Sequence, residues 1–209
     1  MFGRRRSARA AMPPLFGFDL AGPATWGVLP TEEPTGPDRD RVLAAIEATG
    51  RDLTSSPEAY EVFAIMAGHL HPPMSKDAHL ALAVWVPDPD TGEIWAVLAL
   101  DHLVGEGDGA AELKDFVPTL GTGMAQSSRA VRTDVERCSF PLGEAVLLVA
   151  LEADADGGLE VRVQFTVFPT MCRDALQLTA LTPRLQVEDI LIGETAIIMD
   201  HLSIRQPPA

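Results

Sequence analysis

His69, His71 and His79 fall within eleven residues, the histidine spacing in this chain best suited to chemistry. An H-x-H pair on an extended segment can turn two imidazoles toward one cation, with His79 as a third ligand, as a metal-assisted hydrolase requires. The same residues have a plainer reading. Pro72-Pro73 stiffens the segment, and a histidine at a helix exit already gains from the helix dipole.

Asp101-His102, with Glu106 and Asp108 beyond them, is the second arrangement that could act, as a general acid and base held on a loop where a strand ends. Gly105-Glu106-Gly107-Asp108-Gly109 is equally what a solvated turn looks like in an acidic protein. The run Asp154-Ala155-Asp156-Gly157 resembles a calcium loop only in part, because Val163 stands where the closing glutamate belongs. Gly121 to Ser128 meets neither glycine-rich phosphate pattern, and no G-x-S-x-G elbow occurs. Cys138 and Cys172 have no histidine that the sequence nominates as a base, and they read as small core residues. Trp26, Trp85 and Trp95 read as core packing. No catalytic, cofactor-binding or metal residue is assigned on this basis, and no cofactor is expected.

The elements that would position these groups follow from pattern. Residues 15 to 30 read as one or two short strands. Pro37 opens a helix to about Thr49, and Ser55-Ser56-Pro57 caps a second one that ends at Gly68. Ala78 to Val86 and Glu93 to Leu100 flank a Pro-Asp-Pro-Asp-Thr-Gly turn and form a hairpin. Met124 to Phe140 suits an exposed edge strand. Glu144 to Leu151 pairs with Leu159 to Phe168, in which Val161, Val163, Phe165 and Val167 face one way and Glu160, Arg162, Gln164 and Thr166 the other, giving one buried and one wet face. Asp174 to Thr182 is a further strand. In a closing helix over about Leu185 to Ile204, Val187, Ile190, Leu191, Glu194, Ile197, Ile198, His201 and Leu202 recur at three- and four-residue steps, so its apolar side docks on the sheet. This order predicts an α+β domain: an antiparallel sheet built from hairpins, with two N-terminal helices and one C-terminal helix packed on its faces.

Composition bounds the function. The 209 residues fit a single domain over 15–205, with a disordered basic leader at 1–14, a tail at 206–209, and Met12 as an alternative start. Sixteen Lys and Arg stand against 30 Asp and Glu, a net charge of −14, and the leader holds Arg4, Arg5, Arg6 and Arg9. So acidic a body repels a phosphate backbone, so nucleic acid is not an expected partner. No run approaches the ~18 apolar residues of a spanning helix. Two cysteines are too few for a disulfide framework and fit a reducing compartment, so a cytoplasmic location is expected.

The tract Val163-Gln-Phe-Thr-Val-Phe-Pro169, then Leu176-Gln-Leu-Thr-Ala-Leu-Thr-Pro183, then the closing helix resembles a group of uncharacterised actinobacterial proteins with a Mog1/PsbP-like fold. The resemblance implies an accessory or interaction role without a shared active site. Together these features predict a non-catalytic module that binds a protein partner and can form a homodimer. The alternatives are a metal-assisted hydrolase and a component of a secretion or phage-like assembly.

Overall fold

The computed structural model describes residues 17–29, 79–88, 94–103, 130–153 and 158–205. Their nine strands are β1 (Gly17–Asp19), β2 (Trp26–Leu29), β3 (His79–Trp85), β4 (Ala96–Leu103), β5 (Ala130–Phe140), β6 (Gly143–Ala153), β7 (Leu159–Pro169), β8 (Ala175–Thr182) and β9 (Ser203–Arg205). A 3₁₀ turn at Leu185–Val187 leads into α1 (Glu188–His201).

Seven strands form one antiparallel sheet in the order β2-β3-β4-β8-β7-β6-β5, and β1 pairs with β9 beside it. Both expected hairpins are present, and so is the edge strand, as β5. The β5–β6 connection is tight because Gly143 lies against the end of β7. A Cβ there would stand 2.2 Å from the Phe168 carbonyl oxygen, so no other residue fits without backbone movement.

The expected α+β arrangement requires correction. Among the described residues strand predominates and the C-terminal α1 is the only α-helix, in place of two N-terminal helices and one C-terminal helix. The physical reason is the density of Val, Leu and Ala in successive hairpins, which extends one sheet to seven strands. The helices expected from Pro37 and from Ser55 fall outside the described residues.

The core lies between α1 and the sheet. Leu98 and Leu100 of β4, Val161, Val163, Phe165 and Val167 of β7, and Leu176, Leu178 and Ala180 of β8 meet Leu191, Ile198 and Met199 of α1. Glu188 and Asp189 in the first turn and His201 in the last suit the dipole of the helix. Its apolar residues run nearly all round, and the expected inward face is shifted. Ile190 and Ile197 are 54% and 42% exposed, whereas Thr195 is buried and donates its hydroxyl to the Leu191 carbonyl at 2.6 Å. An internal hydrogen bond lets a threonine take a core position that the hydrophobic pattern assigned to isoleucine.

The opposite face of β7 is also not wet. Glu160, Gln164 and Thr166 are all buried, so the period-two alternation separates apolar from polar without separating inside from outside.

Candidate functional site

The sequence joins Asp101 and His102, and the strand that carries them pulls them apart. Both lie within β4 and not on a loop beyond it, so their side chains leave opposite faces of the sheet. Glu106 and Asp108 lie outside the described residues, as do His69 and His71. His79 is placed by register directly opposite Asp101. Among the described residues no group of three or more His, Cys, Asp or Glu could hold a metal ion.

His102 lies on the α1 side, where its Nε2 stands 2.9 Å from Oδ2 of Asp174, close enough for an ion pair but without hydrogen-bond alignment. Asp174 is 2% exposed, and Arg173 Nε approaches its other oxygen at 3.5 Å. A carboxylate behind an imidazole is how a general base is oriented. Among the described residues the neighbouring Cys172 does not serve as its nucleophile, being buried with its thiol directed to the Asp174 carbonyl at 3.4 Å. The arrangement instead fastens the β7–β8 turn to β4. Sequence reading missed Asp174 because it stands just before a mostly apolar strand and 72 positions from the histidine it meets.

Asp101 lies on the face away from α1. Register aligns it with Gln177 and then Thr166, and the adjacent row is Ala99, Thr179, Gln164. Gln177 donates to Thr179 Oγ1 at 3.4 Å, while Thr166 Oγ1 is fully buried without a hydrogen-bond partner. Beside them Arg162 grips Glu152 through two 3.2 Å hydrogen bonds, so its charge is already matched.

The two edges of the sheet are both tied to α1. At β2, Trp26 stacks on Trp85 with centroids 6.0 Å apart, Trp85 meets Trp95 edge-to-face at 5.8 Å, and Arg184 lies 4.8 Å over the Trp95 ring. The Trp26 indole and the Thr25 hydroxyl both donate to Glu194 Oε2, at 3.1 and 3.2 Å. At β5, Arg132 pairs with Glu188 of α1 and, at 3.1 Å, with Asp134. The neighbouring Glu188 carboxylate and its hydrogen bond push the Arg132 guanidinium above its ordinary value.

β5 is the longest exposed element among the described residues. Val131 is 62% exposed, Asp134 69% and Arg132 45%, and the strand is bulged between Ala130 and Arg132. Cys138 packs partly inward, and burial, then the Glu136 charge, raises its thiol above the ordinary range. Such a thiol stays protonated and is a poor nucleophile. The alternation of Arg132, Asp134, Glu136 and Arg137 was visible in the sequence as the mark of an edge.

No protein-family model matches the chain, and no curated protein is similar to it. Solved structures do match, among them LpqN of Mycobacterium tuberculosis, a protein involved in cell envelope biogenesis, at a TM-score of 0.50 and 18% identity over 90% of this chain and 83% of that one. A protein of unknown function from Pseudomonas aeruginosa, PA94, described as a putative regulator, matches at a TM-score of 0.46 and 13% identity over 66% of this chain and 90% of that one. The likeness to LpqN shows a shared fold.

Proposed function

We propose that this protein is a non-catalytic binding module that docks a protein partner along β5, and that its kinship lies with the Mog1/PsbP-like group. The carrying observation is an eleven-residue edge strand in the sheet of the described residues, with exposed and half-buried residues interspersed and charges of both signs. Strand addition to such an edge satisfies its open backbone groups and gains specificity from alternate side chains. Supporting this, three groups among the described residues that could have done chemistry are engaged otherwise: His102 with Asp174, Arg162 with Glu152, and Cys138 held protonated.

The cytoplasm remains the proposed compartment, supported by a chain with two cysteines, too few for a disulfide framework. LpqN acts in envelope biogenesis, so fractionation of the native host is the direct check; recovery with the envelope would overturn this location.

A photo-crosslinking residue at Glu136 tests the docking edge in the native host, with the same residue at Ile197 on the outer face of α1 as control. The expected result is a discrete adduct from Glu136 and none from Ile197. Equal labelling at the two positions, or none at Glu136, would remove the proposal.

A further inference from the structure

Residues 17–26 run as a strap beside α1, and its two ends are fastened unequally. The end at β2 is closed by packing and hydrogen bonds. Trp26 is buried and donates its indole N–H to Glu194, its backbone N–H bonds the Pro23 carbonyl at 3.0 Å, and the Thr25 carbonyl accepts from the Val86 N–H at 2.8 Å. The end at β1 is held by less. Among the described residues it pairs with β9 over Gly17 to Asp19, in a two-stranded sheet separate from the other seven strands. A two-stranded pair is marginal in water unless something else holds it.

That further hold is a latch of charge. The aliphatic stem of Arg205 crosses Gly17, where a Cβ would stand 3.6 Å from it, and the guanidinium grips both carboxylate oxygens of Asp19, from Nε at 2.8 Å and from Nη2. The fork geometry is favourable, but the side chains are 60% and 56% exposed, so dissolved ions screen the pair. The Arg205 hydrogen bond holds the Asp19 carboxyl below its ordinary range. The latch is therefore charged at neutral pH and yields to competing ions.

Between the ends, Ala21, Gly22 and Ala24 are exposed, and Gly22 lies so close to α1 that a Cβ there would stand 3.1 Å from Cγ1 of Ile198. Phe18, Leu20 and Ile204 pack half-buried against the core. Lifting the β1 end would free the edge of β9 and bare Ile204 and the flank of Ile198. Ile197 beside them is exposed already.

We propose that residues 17–25 are a latched cover, whose β1 end lifts from β9 while the strap stays anchored at Trp26, and that the Asp19–Arg205 pair sets the balance between closed and lifted. Lifted, it presents an apolar surface at the C-terminal end of α1 that the closed strap hides.

Hydrogen exchange of the full chain, read by peptide across a sodium chloride series, tests this. In the parent, 17–20 and 203–205 should exchange faster than Trp26–Leu29 and quicken about threefold from low to high salt, while 191–199 and Trp26–Leu29 hold steady. Asp19→Arg sets two cations together and is expected to quicken exchange at 17–20 and 203–205 about fivefold; adding Arg205→Asp restores the pair and should bring it back to within about twofold of the parent. The salt series needs no substitution, so it decides even where a variant fails to fold. Exchange at 17–20 as slow as at Trp26–Leu29, no response to salt, or a charge-swapped chain as fast as Asp19→Arg alone would overturn the latch.

Discussion

The two edges of the sheet are closed in different ways. β2 is four residues long, and its Trp26 is 8% exposed, stacked on Trp85 and hydrogen-bonded to Glu194. β5 is eleven residues long and is tied to α1 through the charge of Arg132, half out in water. An aromatic edge is sealed by packing that a partner cannot displace cheaply, whereas a charged edge exchanges one set of ion pairs for another. The difference says which side of the sheet is available.

That contrast can be broken by substitution. Trp26→Ala removes a stacked ring from the core and should cost about 3–5 kcal/mol in chemical denaturation. A loss below ~1 kcal/mol would show that β2 is not sealed by its tryptophan. Glu194→Ala leaves the Trp26 indole N–H and the Thr25 hydroxyl without their acceptor, and a loss of about 1–3 kcal/mol is expected by the same measurement. At the other edge Arg132→Ala breaks exposed ion pairs and should change stability by less than ~1 kcal/mol. A cost at β5 equal to that at β2 would erase the distinction between the edges.

The faces of the sheet teach a second lesson. One side of β7 and β8 is Val, Phe, Leu and Ala under α1; the other carries Gln164, Thr166, Gln177 and Thr179. Both sides hold buried residues, so polarity alone did not mark the surface. If Thr166 Oγ1 has no partner in solution, Thr166→Val should leave stability unchanged or raise it by about 1 kcal/mol. A clear loss on thermal or chemical denaturation would mean that the hydroxyl is satisfied there.

Much of the sheet was legible in the sequence because hairpins announce themselves locally. Turn residues at 87–92 and 154–158 mark the reversals, and the run Val161, Val163, Phe165, Val167 marks a core face. The edge position of β5 was legible from its mixed charges. The candidate site was less so, because adjacency in sequence is not adjacency in a strand. Asp101 and His102 are neighbours that point apart, while His102 and Asp174, 72 positions distant, come together only through the β4–β8 pairing. The outward turn of Ile190 and Ile197 was hidden for a related reason. A helix that is apolar nearly all round does not declare its buried side until the sheet it packs on is known.

Hydrogen exchange of the backbone amides, resolved by segment, tests most directly whether β5 is the open edge and β2 the closed one. The outward amides of 130–140 should exchange quickly and those of Trp26–Leu29 slowly. Protection of β5 equal to that of β2 would contradict an edge open to a partner.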